Sequence, residues 1–211
     1  SVLALTGCTP DAVPVATSAP TVEAASPTPE PAVLAVATVI IEGDAFSLVL
    51  DDGSAGERVL FSSSPDAATA SLTAALGAEP LVTEIAEESC EPAHTLTKWG
   101  AVSLVSNYAW LPAGQLFQIV VDAETVNGVA FETNGGYRVG GSSAALVASV
   151  PGDQLESLTF EGSTYEYVKL EIEGGSATGD DLDLWGSFVS AKDGTINRIV
   201  SPLSYLFGAN C

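Results

Sequence analysis

Ser64-Pro65-Asp66-Ala67-Ala68-Thr69-Ala70-Ser71-Leu72-Thr73-Ala74-Ala75-Leu76-Gly77 is the stretch whose reading decides the fold. Ser64 is placed to cap the N-terminus of a helix, Pro65 sits where a missing N–H costs nothing, and Asp66 lies in the first turn. Ala68, Leu72, Ala75 and Leu76 fall on one face, and Gly77 can end the helix in the left-handed region. Around this helix almost everything reads as short strand and turn, which predicts an α+β fold of antiparallel β-sheets with two short helices.

Upstream, Ala35 to Ile41 is rich in β-branched residues, and Glu42-Gly43-Asp44 turns the chain into Ala45 to Leu50. Asp51-Asp52-Gly53 turns it again into Glu57 to Phe61. Downstream, strands are predicted over 81–86, 101–106, 116–121 and 129–133. Ser142 or Ser143 can cap the second, shorter helix, which Pro151-Gly152 stops. Strands then follow over 155–160, 165–172, 182–189 and 195–200, and the short connections favour antiparallel meanders.

Four landmarks recur in order. Leu48 to Gly53 is echoed by Ala130 to Gly135, and the helix from Ser64 to Gly77 by the one from Ser142 to Gly152. Trp99-Gly100 is echoed by Trp185-Gly186, and Phe117-Gln118-Ile119-Val120 by Asn197-Arg198-Ile199-Val200, at offsets that cluster near about 80 residues. These echoes raise a tandem duplication, with residues 33–127 and 128–211 as two halves, each one helix on a sheet of about four strands. In element order such halves resemble the tandem units of the β-lactamase inhibitor protein and of small outer-membrane-assembly lipoproteins. No functional residue carries over from that resemblance, because no position matches a functional motif of those families.

The N-terminal end speaks to location. Leu5-Thr6-Gly7-Cys8 resembles the lipobox of bacterial exported lipoproteins, in which the Cys thiol receives a diacylglycerol and becomes the first mature residue. The resemblance implies that residues 1–8 are the end of a signal segment with its lipobox, that Cys8 is the lipidation site, and that the protein is anchored to a membrane without spanning it. Its location would be extracytoplasmic. Trp99-Gly100 and Gly208-Ala209-Asn210-Cys211 also resemble small lipoproteins of high-GC Gram-positive bacteria. Residues 9–32, rich in Pro, Thr, Ala and Ser, read as a tether with polyproline II character, about 70 Å long if fully extended at about 3 Å per residue. With Cys8 lipidated, Cys90 and Cys211 remain as a pair in a compartment that permits disulfides, and they are expected to be bonded.

Among the 211 residues, 27 acids face 6 bases, a formal charge of −21. That balance excludes nucleic acid as a partner, since a polyanion would meet no basic stripe able to release its counterions. The single histidine, His94, could form a Cys/His dyad only with a free Cys90, which the expected disulfide removes. One histidine is also too few for a usual catalytic zinc site. Gly179-Asp180-Asp181-Leu182-Asp183 lacks the calcium-loop pattern, and Leu182, Leu184 and Phe188 alternate with Asp181, Asp183 and Ser187, which puts the apolar set inward and the acids in water. Neither a metal nor a cofactor is implied. Gly140-Gly141-Ser142-Ser143 beside Arg138 could receive an anion at a helix start, although plain capping accounts for it better.

The aromatics are the last candidates for function. Tyr165 and Tyr167 share a strand face opposite Val168, Leu170 and Ile172, so a core on the apolar side would put both tyrosines outside. With Trp99 and Trp185 they form the predicted recognition surface. The resulting expectation is a non-enzymatic binding domain acting at the cell envelope on a protein or a wall glycan. The rival is an extracellular hydrolase that uses a pair of its many carboxylates.

Overall fold

The computed structural model describes residues 34–88, 91–173 and 185–204. Leu34–Cys211 forms one compact unit. The first elements are β1 (Val36–Ile41), β2 (Ala45–Leu50), β3 (Ala55–Leu60) and α1 (Pro65–Leu76). Four strands follow: β4 (Leu81–Ile85), β5 (His94–Trp99), β6 (Val102–Ser106) and β7 (Phe117–Val121). After β8 (Thr125–Val126) and β9 (Val129–Thr133) comes α2 (Ala144–Ser149) with a single 3-10 turn behind it. The last four are β10 (Leu155–Phe160), β11 (Ser163–Glu173), β12 (Trp185–Lys192) and β13 (Thr195–Ser204).

The expected α+β class, mostly antiparallel with two helices, is what the chain adopts. Ser64 caps α1 as expected: its Oγ accepts from the Asp66 N–H at 3.2 Å, and Gly77 closes the other end at φ 60° with its N–H on the Thr73 carbonyl. Ala68, Leu72 and Leu76, spaced four apart, are buried. Asn127, at the turn between β8 and β9, donates from Nδ2 to the Leu76 carbonyl at 3.1 Å, so a residue far along the chain satisfies one of the helix's orphan acceptors.

The strands form two sheets. One has the order β3-β2-β1-β9-β8, the other β10-β11-β12-β13-β7-β6-β5-β4. The expectation of pure meanders fails at two joints. β1 pairs with β9 in parallel, through Val39 to Phe131 and Ile41 to Thr133, and a parallel pair requires a long crossover. In the larger sheet the meander β4 to β7 meets the meander β10 to β13 where β7 pairs with β13. The proposed boundary at 127/128 therefore falls inside the β8–β9 hairpin, and each sheet takes strands from both sides of it. The pairing does not give each proposed half a sheet of its own.

One core serves both sheets and both helices. Across the larger sheet the paired residues Val168, Val189, Ile199, Val121, Val102 and Trp99 make a transverse row, and all of them belong to that core. Leu48, Val39 and Phe131 do the same across the smaller sheet. The sheets are also tied directly. Leu116 N–H donates to the Phe61 carbonyl at 2.8 Å, and the Phe61 and Phe117 rings meet edge to face at 5.4 Å.

Because Ile199 is fully buried in the middle of that row, Ile199→Ala is expected to cost about 2–5 kcal/mol. Ser64→Ala removes only a cap and is expected to cost about 1 kcal/mol. Thermal melts should therefore rank Ile199→Ala well below Ser64→Ala, at about 2–4 °C per kcal/mol for a chain of this size.

Candidate functional site

Side chains of a strand alternate between faces, so the row next to the core row points the opposite way. In the larger sheet that next row is Lys98, Ser103, Val120, Val200, Phe188 and Lys169, each paired with the next across a strand boundary. A second outward row adds Arg198, Ser190, Tyr167 and Glu156. A third pairs Lys192 with Tyr165. The middle of this face is itself covered: Ser103, Val105, Gln118, Ser190 and Val200 are buried although they stand apart from the main core.

Tyr165 and Tyr167 lie on this face, both half-buried. Tyr167 stacks on Phe188 with centroids 5.6 Å apart and planes 23° from parallel, and Lys192 Nζ lies 5.4 Å from the centre of the Tyr165 ring. Between the two tyrosines and the end of β7 is a depression of about 290 Å³, lined also by Asp122, Ser190, Asn197 and Arg198. Arg198 donates from Nε and Nη2 to the two oxygens of Asp122 at 2.6 and 3.2 Å. This bidentate contact holds the guanidinium above its ordinary range and fixes its plane. Ser190 Oγ donates to Asn197 Oδ1 at 2.9 Å, which orients the Asn197 amide nitrogen as a donor.

A β-bulge makes this arrangement possible. Ala191 pairs with Ile196 and Ser190 with Arg198, so β13 carries one extra residue between them. Ile196 and Ile199 both reach the core while Asn197 and Arg198, in between, are exposed. Sequence reasoning missed Ser190, Lys192, Asn197 and Arg198, and it put Phe188 inward and Ser187 in water, where the structure turns Phe188 outward and buries Ser187 completely. The alternations Tyr165-x-Tyr167-x-Lys169 and Phe188-x-Ser190-x-Lys192 carried a usable signal; Ile196-Asn197-Arg198-Ile199 breaks period two and hid the rest.

Trp99 is corrected. It is 3% exposed in the core row, and its indole N–H has no hydrogen-bond partner among the described residues, so it fills the core and leaves the recognition surface. Trp185 begins β12, and its side chain lies outside the described residues, as do Cys8, Cys90, Cys211 and the acidic run at 180–183. His94 is 8% exposed, donates from Nδ1 to the Pro92 carbonyl at 3.0 Å and packs edge-on against Tyr108. The Gly140–Ser143 segment spends its N–H groups internally. Gly140 N donates to the Ile196 carbonyl, Gly141 N to Arg138 and Ser143 N to Gly194, while Arg138 is engaged by Glu132 and Glu124. The expected side-chain cap is not made either: Ser143 holds the N-cap position but its Oγ donates to Glu166, and Ser142, one residue earlier, accepts only from the Ala144 N–H at 3.3 Å.

For a carboxylate-based reaction the notable group is Glu171, a non-glycine residue at φ 47° in β11. Its Oε2 accepts from the Gly43 N–H at 2.7 Å, a tie between the two sheets. Burial raises its pKa above the usual carboxylate value, opposed by hydrogen bonds from Asn134 and Gly43 and reinforced by the charges of Glu42 and Asp44. Glu42 and Asp44 are themselves committed to Arg58, at 2.8 and 2.6 Å. Among the described residues no group of three His, Cys, Asp or Glu is placed to hold a metal, and no helix is long and apolar enough to cross a membrane.

Comparison of the chain with protein-family models, curated proteins and solved structures finds no match to any of them.

A carboxyl whose folded pKa is raised binds its proton more tightly in the native state than in the unfolded chain. Its contribution is favourable at low pH and is lost as pH climbs from the unfolded value through the raised one. Glu171→Gln, which keeps an oxygen for the Gly43 N–H, is therefore expected to melt at or above the wild type at neutral pH. It should also flatten the fall in melting temperature that begins near pH 4.5. Melts across pH check this; an unchanged pH profile would remove Glu171 as its source.

Proposed function

We propose that the protein is an exported, lipid-anchored recognition protein of the cell envelope. It is attached to a membrane through Cys8, carried on the tether at residues 9–32, and binds through the outer face of its eight-stranded sheet. The observation that carries this reading is the division of labour between the two faces. One transverse row is consumed by the core, and the row beside it presents Phe188 and Lys169 next to half-buried Tyr165 and Tyr167. A core-only sheet has no use for aromatics and cations on its far side. The rival hydrolase reading would draw on Glu171, whose carboxylate is already occupied in tying the sheets together.

The duplication belongs to the same reading. Each half has a helix followed by a four-stranded meander, preceded by three strands in the first half and by β9 alone in the second, and what supports descent from one unit is the joint itself. Val120 and Val200, which the sequence echo places 80 residues apart, are direct partners across it, as paired copies of one strand would be. The Cys90–Cys211 disulfide is also part of the proposal, because an extracytoplasmic compartment would preserve it.

Two measurements test the proposal. Full-length protein should co-sediment with purified, insoluble cell-wall material, and Tyr167→Ala should reduce the bound fraction several-fold without lowering the melting temperature by more than a few degrees. Equal retention of the variant would remove the outer face from the binding role. Mass spectrometry of non-reduced peptides should find Cys90 joined to Cys211, whereas two free thiols would overturn the compartment assignment.

A further inference from the structure

β4 is an edge of the eight-stranded sheet, and it does little for the core. Four of its five side chains are exposed, Leu81 by 70% and Val82 by 56%, and none belongs to the core. Val82 shares the inward side with Thr97, so the core ends one strand short of the edge. The pleat identifies which backbone groups of β4 point off the sheet. β5 and β6 are joined by the two-residue turn Gly100-Ala101, which makes Trp99 and Val102 a hydrogen-bonded pair, and the Asp122 N–H on the Ala101 carbonyl fixes the same phase from the β7 side. Alternation then turns the N–H and C=O of Lys98, Leu96 and His94 toward Leu81, Thr83 and Ile85 of β4. The N–H and C=O of Val82 and Glu84 therefore face away from β5. The usual guards of such an edge are missing: the strand has no Pro, no Lys and no bulge, and the Glu84 carboxylate is turned back to accept from Thr95 Oγ1 at 3.0 and 3.1 Å.

We infer that β4 takes up an extended, cationic segment of another protein as an added antiparallel strand, at a site that does not depend on the recognition reading above. What selects a strand is the outward donors and acceptors of Val82 and Glu84, which an extended backbone meets in register. What selects its charge is the surroundings. Glu79, Glu84, Glu87, Glu88 and Glu91 are all exposed in and beside the strand, and the cation that the register places near it is Lys98, next to Leu81 on β5. A second copy of this chain is disfavoured by the same charges. Antiparallel pairing of two copies about Thr83 would set Val82 against Glu84 and carry Glu79 against Glu87, acid on acid, between molecules of net charge −21. A partner strand with apolar residues opposite Leu81, Thr83 and Ile85 extends the apolar strip on that side, and cations opposite Glu84, Glu87 and Glu88 answer the acids.

The test uses the full-length protein and the fluorescein-labelled, end-capped peptide Lys-Lys-Thr-Val-Lys-Val-Thr-Val-Thr-Lys, which faces Glu88 back to Glu79 in that order, with binding read by anisotropy in low salt. It is expected to bind at least about tenfold more tightly than the same peptide with Glu for every Lys, and than the same peptide N-methylated at the residues facing Val82 and Glu84. In the complex the amides of Val82 and Glu84 should exchange with solvent at least about tenfold more slowly, while those of Leu81, Thr83 and Ile85, already bonded to β5, change little. Val82→Pro removes a donor that β5 does not use and should weaken binding at least about tenfold. Glu87→Lys with Glu88→Lys, both exposed positions, should weaken it several-fold at an unchanged melting temperature. Should Val82→Pro fail to fold, the exchange measurement carries the test of strand addition. Equal binding of the N-methylated peptide, or binding without protection at Val82 and Glu84, would overturn strand addition, and equal binding of the acidic peptide would overturn the charge preference. Protection of those amides in the free protein, rising with its own concentration, would assign the edge to a second copy and overturn the inference.

Discussion

The antiparallel pairing of β7 with β13 is the contact on which the rest of the molecule depends. Val121 meets Ile199 and Val120 meets Val200 across it, although about 80 residues of chain separate the partners. Without it the larger sheet would be two separate four-stranded meanders, and the transverse core row from Val168 to Trp99 would be cut at its centre. The outer row would be cut at the same place, separating Lys98 from Lys169. Stability and the candidate site thus share one joint. A contact this distant in sequence forms only after a costly loop closure, so the local units, α1 and the meander hairpins, have reason to form first.

Once the joint is made, the pleat assigns every residue a side. A slip of one residue at β13 would carry Ile199 outward and Arg198 inward, burying a charge and exposing a core side chain, so the register is strongly specified. The bulge at Ser190 and Ala191 uses this strictness. By inserting one residue it lets two consecutive polar side chains, Asn197 and Arg198, serve the outer face while Ile196 and Ile199 stay in the core on either side. A second irregularity between Gly186 and Phe188 has a different outcome. Ser187 and Ser201 are both fully buried there, and they satisfy each other at 3.2 Å while Ser201 Oγ also reaches the Glu42 carbonyl of the other sheet.

Local chemistry was legible in the sequence, and remote pairing was not. Ser64-Pro65 and Gly77 carry the ends of α1 in their own side chains and backbone preferences, so the helix could be read residue by residue. Tyr165 and Tyr167 could be placed opposite Val168 because alternation is a property of one strand alone. β5 was missed: Thr95-Leu96-Thr97-Lys98-Trp99 has no apolar run, and its inward side takes Thr97 together with Trp99, so the alternation has no clear phase. The same ambiguity put Trp99 on the wrong face. The parallel β1–β9 pair and the β7–β13 joint depend on which strands lie side by side in space, and no single segment encodes that.

The charge distribution then acquires a physical sense that the total of −21 conceals. Arg58 and Arg138 neutralise carboxylates at the smaller sheet and the segment after it, where their loss would leave acids facing one another. On the larger sheet Arg198 is held by Asp122 in the same way, and Lys192 lies over the Tyr165 ring. Salt screens charges beyond roughly 8–10 Å, so each of these ion pairs acts on its own neighbourhood and the acidic remainder of the surface is felt there only weakly.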